Sequence, residues 1–139
     1  MKKLLGILRN PSLGLLLIRI GLATIFIYHG VSKFADMGMT IGFFAKLGFP
    51  AFLAYFVSTV ETLGGVVLLL GLFTDIAGIA LAIDMAVVLI HVPGRGGFLG
   101  GHELEFSLLI AALGIALEGP GKYALGGKIE TESTSTTSA

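Results

Sequence analysis

Long apolar runs, separated by short polar stretches, dominate this chain. Four of them approach the length of about 20 residues that a helix needs to cross a bilayer. They cover roughly residues 13–33, 50–73, 75–92 and 102–118. Helix-start and helix-stop residues mark their limits: Pro11, Pro50, Pro93 and the Gly-Pro-Gly of residues 119–121. The pattern predicts an all-α integral membrane protein, an antiparallel bundle of four transmembrane helices.

A shorter helix is predicted between the first two spans. Asp36 can cap its beginning. Positions 41, 43, 44 and 47 are apolar, whereas Lys46 is charged. Such a segment is expected to lie in the membrane interface rather than to cross the bilayer.

The flanking segments complete the domain organisation. We expect a cytoplasmic N-terminal segment at residues 1–12, one membrane domain at 13–126, and a disordered polar tail at 127–139. Four spans place both termini on one side of the membrane. The basic residues on that side outnumber those on the other: they are Lys2, Lys3, Arg9, Lys122 and Lys128 against Lys33, Lys46 and Arg95. Because basic residues are enriched on the cytoplasmic side, both termini are predicted to be cytoplasmic.

Composition narrows the class of protein. Hydrophobic residues make up 55% of the chain and charged residues only 13%, against roughly 25% charged residues in soluble domains. Acidic and basic residues balance at nine each, so nothing indicates a nucleic-acid partner. The chain has no cysteine, which removes disulfide, thiolate and iron–sulfur chemistry.

Small residues recur at helical spacing on three of the spans. Because close backbone approach drives helix association in lipid, these positions predict the helix contacts. They are Ser58, Gly64, Gly65 and Gly71, then Gly78, Ala82 and Ala86, then Ser107, Ala111 and Ala112.

Ionisable residues at membrane depth form the candidate polar site. Each costs roughly 2.5–3.5 kcal/mol on insertion scales, so each needs a partner or a purpose. The candidates are Arg19, His29 and Lys33 on the first span, Glu61 on the second, Asp84 and His91 on the third, and Glu103 at the start of the fourth. On a helical wheel the three residues of the first span form one stripe, which is expected to face inward.

Two readings of this polar set stay open. In the first, the residues are neutralised structural pairs: Arg19 with Glu61 or Asp84, and Lys33 with Glu103 near the outer boundary. In the second, they form a ligand or proton-transfer site. Two facing histidines could also serve as axial haem ligands, a less favoured alternative. We expect no metal site.

Six sequence segments resemble the DoxX family of bacterial and archaeal membrane proteins. They are Arg19, FIYHGVSKF (26–34), ETLGG (61–65), GLFT (71–74), GGHE (100–103) and GPGKYAL (119–125), and the resemblance covers roughly residues 10–126. It implies a four-helix bundle in the plasma membrane and a link to quinone-coupled redox chemistry. Ala124, Gly126 and Asp75 depart from the family pattern.

The function implied by the resemblance is a quinone-interacting or accessory subunit of a membrane oxidoreductase. His29 and Lys33 would hydrogen-bond a quinone carbonyl, and Glu61 or Glu103 would relay protons. No flavin, nicotinamide or iron–sulfur motif is present, so electrons would come from a redox protein partner or from a bound small molecule. The alternatives are a non-catalytic scaffold for soluble redox enzymes and a small-molecule carrier lined by Glu61 and Asp84. A second copy of the chain, forming a homodimer, is a further candidate partner.

Overall fold

A computed structural model describes residues 1–94 and 98–126, and this part of the chain folds into six helices. They are α1 (Lys2–Leu8), α2 (Pro11–Ala35), α3 (Met37–Lys46), α4 (Ala51–Leu70), α5 (Thr74–His91) and α6 (Glu103–Glu118). The predicted disordered tail at 127–139 and part of the glycine-rich loop after α5 lie outside the described residues.

Three of these helices are long and apolar enough to cross a membrane: α2, α4 and α5. Each matches a predicted span to within a few residues at either end. The fourth apolar run also forms a helix, α6, but it has only 16 residues. The structure therefore confirms a helical membrane protein, while the crossing by α6 stays a prediction.

The helix ends follow from local capping chemistry. Asn10 accepts a hydrogen bond from the Leu13 N–H at 3.1 Å and so caps α2. The prediction that Asp36 caps the short helix α3 is confirmed, since its Oδ1 accepts from the Met39 N–H at 2.9 Å. Helix α4 ends at Gly71, whose φ of 69° favours glycine.

Small residues allow the helices to pack closely, as the sequence predicted. A Cβ atom on Gly65 of α4 would lie 2.7 Å from the Ile27 side chain of α2. A Cβ atom on Gly78 of α5 would lie 2.7 Å from the Ala112 carbonyl oxygen of α6. Backbone approach of this kind is a main source of helix association in lipid.

A single apolar core joins the helices. Ten buried residues from α2, α4, α5 and α6 form it: Leu22, Phe26, Leu68, Ala77, Leu81, Ala82, Met85, Leu108, Ala112 and Ile115. Two buried ionisable residues, Arg19 and Glu61, lie outside this cluster and are described next.

Candidate functional site

An ion pair between α2 and α4 lies at the centre of the candidate site. The Lys33 Nζ atom donates to Glu61 Oε2 at 2.5 Å. Glu61 is 2% exposed, and Lys33 is partly buried. The pairing follows from helix packing. Gly30 of α2 lies against Ser58 and Thr62 of α4. Lys33 is one turn beyond Gly30, which brings its side chain to Glu61. Glu61 therefore faces the neighbouring helix α2.

Asp84 of α5 adds a second carboxyl group to this pair. Asp84 lines the same small cavity as Lys33 and Glu61. The Oδ2 atom of Asp84 is buried and has no hydrogen-bond partner among the described residues. Three helices thus bring one ammonium and two carboxyl groups together, and one oxygen remains available to a ligand.

An apolar groove of about 410 Å³ leads to Asp84 from the outside of the bundle. Helices α3, α4 and α5 and the turn before α4 supply its walls. Its lining residues include Phe44, Phe49, Leu53, Val57, Val60 and Val87. Phe56 and Ile83 also line the groove and are 61% and 60% exposed, so it opens on the outer surface of the bundle.

A smaller inner cavity of about 70 Å³ joins the groove to the ion pair. It shares Phe44, Asp84 and His91 with the groove and is also lined by Lys33 and Glu61. The polar cluster therefore lies at the inner end of an apolar passage. This arrangement can receive a molecule with an apolar body and a polar end.

His91 lies at the end of α5 and contributes to both cavities. Its ring centroid is 5.2 Å from that of Phe49, and its Nδ1 atom is 3.1 Å from the Val87 carbonyl oxygen. Asp84 and His91, two helical turns apart, both line the groove and so lie on one face of α5.

Arg19 forms the second polar cluster, and its predicted pairing with Glu61 or Asp84 is wrong. The guanidinium donates to four backbone carbonyls: Leu68 at 2.8 Å, Leu69 at 2.8 Å, Pro120 at 2.9 Å and Tyr123 at 2.9 Å. The physical reason is height, because Leu68 lies seven residues, or about 10 Å, beyond Glu61 along α4. At that level α4 ends, and its last carbonyls can accept from Arg19; the Leu68 carbonyl also accepts from the Gly71 N–H at 3.1 Å.

The predicted Lys33–Glu103 pair is also wrong. Glu103 instead accepts hydrogen bonds from the Gly100 and Gly101 N–H groups, at 2.5 and 3.1 Å, in the turn before α6. Lys33 is held by Glu61, which lies directly opposite it on α4. Glu103 is therefore separate from the three-residue cluster.

His29 does not face inward as the predicted stripe required. It is exposed, and its nearest aromatic ring is that of Tyr28, with centroids 6.4 Å apart. On the wheel, His29 lies at the edge of the arc that packs against α4, which explains the error. It does not line the groove to which His91 contributes, so the facing histidine pair of the haem alternative does not form. Within the described ranges, no group of three histidines or acidic residues could hold a metal ion.

The groove residues were missed by the sequence reasoning. Positions 53, 57 and 60 of α4 and 80, 83 and 87 of α5 repeat at helical spacing, which was a usable signal. In a membrane helix, however, apolar residues face lipid as readily as they face a ligand. The sequence therefore does not distinguish a groove wall from an ordinary lipid-facing surface.

Comparisons with known proteins agree with this architecture. A family model described as DoxX matches residues 14–94. A protein of Bacillus subtilis (strain 168) named "Putative oxidoreductase CatD" is 38% identical over 111 residues, which cover 80% of this chain and 83% of that protein. An uncharacterised membrane protein of Mycobacterium tuberculosis is 31% identical over 135 residues, which cover 84% of this chain and 82% of that protein. No solved structure matches the chain.

Proposed function

Because this chain belongs to the DoxX family of membrane proteins, we propose that it is the quinone-binding subunit of a membrane oxidoreductase system. The site is the apolar groove between α3, α4 and α5 together with the cluster of Lys33, Glu61 and Asp84 at its inner end. The observation that carries the proposal is the buried, unpartnered Asp84 oxygen at the end of an apolar passage.

The proposal places four helices across the membrane. Contacts between α2 and α4 run in opposite directions along the two helices, from Gly30 beside Ser58 to Arg19 beside Gly71, which supports an antiparallel arrangement of this pair. Helix α6 spans about 24 Å against a core of about 30 Å, so local thinning or polar ends must accommodate the difference. Helix α3 then lies in the outer interface, and both termini are cytoplasmic.

Charge balance supports a proton-transfer role for the cluster. One ammonium and two ionised carboxylates would leave a net negative charge in a low-dielectric environment, which is costly. A proton on the unpartnered Oδ2 atom of Asp84 removes that charge. Asp84 can then donate a hydrogen bond to an acceptor in the groove, such as the carbonyl oxygen of a quinone.

The shape of the groove supports the ligand class. Small-molecule sites are typically about 300–1,000 Å³ with a few convergent polar groups, and the groove and cluster fit that description. A quinone head carries its acceptors on an apolar ring, and its tail favours lipid. The groove opens where lipid is, so a quinone can enter from the bilayer without crossing water.

The electrons for the proposed reaction come from another protein. Reduction of a quinone to a quinol takes up two electrons and two protons. We assign the electrons to a flavin or iron–sulfur redox protein that docks on the bundle, and the protons to the cluster, with replenishment from water. The site thus keeps Lys33 and Glu61 from the residues implied by the family resemblance, adds Asp84 and His91, and leaves out His29 and Glu103.

The proposal is tested by quinone binding to the purified protein in mild detergent, with a short-chain ubiquinone analogue as the probe. Ala80→Phe puts an aromatic ring into the groove and is expected to abolish binding. Ile79→Phe is the matched control on the same helix, because Ile79 is half exposed and does not line the groove. Asp84→Leu removes the hydrogen-bond donor at similar volume and is expected to weaken binding about tenfold, the effect of one lost hydrogen bond.

Two results would contradict the proposal. One is a folded wild-type protein that neither retains quinone nor gains thermal stability from it. The other is equal binding by the wild type and by the Ala80→Phe variant. Either result would favour the scaffold alternative, in which the three charged residues serve only to fix the helix register.

A further inference from the structure

Helix α1 presents an apolar surface that the described chain does not cover. Every residue of α1 is exposed, and none is buried. Leu4, Ile7 and Leu8 are 62%, 62% and 72% exposed. Side chains of this size gain about 1.5–3 kcal/mol each from full burial, so an uncovered cluster of them indicates a contact outside the chain.

The polar residues of α1 are arranged opposite this surface. At about 100° per residue, the apolar side chains occupy one half of the helical wheel and the basic ones the other. The apolar half contains Leu4, Leu5, Ile7 and Leu8, and the polar half contains Lys2, Lys3, Gly6 and Arg9. An apolar half opposite a basic half is the pattern of helices that lie in a membrane surface.

The connection to α2 limits which partner can cover α1. Only Arg9 and Asn10 separate the end of α1 from Pro11, where the long apolar helix α2 begins. Two extended residues reach about 7 Å. Helix α1 is therefore held at the height where α2 enters the bilayer, and the nearest apolar phase at that height is the acyl-chain region of the lipid.

We infer that α1 lies in the plane of the membrane surface, with its apolar half among the acyl chains and its basic half on anionic lipid headgroups. The charges support the second part, since Lys2, Lys3 and Arg9 have no acidic residue among them. A basic residue near an anionic surface contributes about a fivefold preference for it, equivalent to about 1 kcal/mol.

The chain contains no tryptophan, so one introduced residue gives an unambiguous fluorescence probe. The full chain is placed in nanodiscs at one copy per disc. Leu4→Trp reports on the apolar half, and Gly6→Trp is the matched control on the opposite half, where nothing lies within 4 Å of an added Cβ. Quenching is compared between phosphatidylglycerol and phosphatidylcholine brominated on their acyl chains, at equal mole fraction.

The expected result has three parts. Brominated lipid quenches the Leu4→Trp variant much more than the Gly6→Trp variant. Brominated phosphatidylglycerol quenches the Leu4→Trp variant more than brominated phosphatidylcholine does, reflecting a local enrichment of about fivefold or more. Replacing Lys2, Lys3 and Arg9 by glutamine removes that preference but not the quenching.

Three results would overturn the inference. Equal quenching of the two tryptophan variants would show that α1 has no membrane-facing side. Protection of the Leu4→Trp fluorescence from quenching only in discs that hold two copies would show that a second chain covers the apolar half. Equal quenching by the two lipids in the chain with its native basic residues would refute the anionic preference.

Discussion

Replacement of Arg19 by methionine is expected to destabilise the protein strongly. Four charge-assisted hydrogen bonds join its guanidinium to the end of α4 and to the segment after α6. Such bonds contribute about 1.5–3 kcal/mol each, so four give about 6 kcal/mol at the low end. Removal of a charge from membrane depth returns about 3 kcal/mol. We therefore expect a net loss of about 3 kcal/mol in the free energy of unfolding.

The assay is reversible unfolding in mixed detergent, followed by hydrogen–deuterium exchange. Arg19→Met should accelerate exchange in residues 119–126, because Arg19 holds the Pro120 and Tyr123 carbonyls. Arg19→Lys should lose about half as much stability, since an ammonium lacks the planar fork that reaches carbonyls in several directions. Lys122→Gln, at an exposed basic residue of the same segment, is the control. Equal stability of the Arg19→Met variant and the wild type would refute the assignment.

Three further outcomes follow from the packing of α2, α3 and α4. Lys33→Met should lower the free energy of unfolding by about 2 kcal/mol, because Glu61 is left buried without its cation. In a double-mutant cycle, the variant with both Lys33→Met and Glu61→Gln should recover part of this loss, and additive effects would contradict the pairing. Gly30→Ala should cost about 1–3 kcal/mol in thermal unfolding, because the added Cβ would meet the backbone of α4. Gly21→Ala is the control: its Cβ meets nothing within 4 Å, so its stability should stay within about 1 kcal/mol of wild type. Asp36→Ala should cost about 1 kcal/mol and speed amide exchange only at the start of α3; unchanged exchange there would count against the cap.

Helix positions were predictable because each apolar run is long and ends at proline or glycine. The inward face of α4 was predictable for a similar reason, since Glu61, Gly65 and Leu68 recur at helical spacing and lipid rejects a carboxylate. Helix α1 was not predicted, because seven residues with three charges nearby resemble an ordinary polar flank. Its two-sided pattern becomes meaningful only once the segment is known to be helical.

The choice of partners was not predictable from the sequence. Counting residues along the two spans places Arg19 at nearly the same membrane depth as Glu61, so the sequence favoured a pair. In the structure Arg19 lies about 10 Å further along α4 and donates to backbone carbonyls instead. For the same reason Lys33 pairs with Glu61 and not with the predicted Glu103. Periodicity fixes the angle of a side chain around its helix, but its partner depends on how far neighbouring helices slide along each other.

This separation of the two polar clusters divides their roles. Four of the five N–H groups of the Arg19 guanidinium donate to carbonyls of the fold itself, so its loss should lower stability without a specific effect on the groove. The cluster with Asp84 is different, because it holds one carboxyl group more than its ammonium balances and one oxygen without a partner. A purely structural role would favour equal numbers of positive and negative groups and full hydrogen bonding in lipid. The surplus carboxyl group at the end of an open groove therefore supports the proposed ligand site.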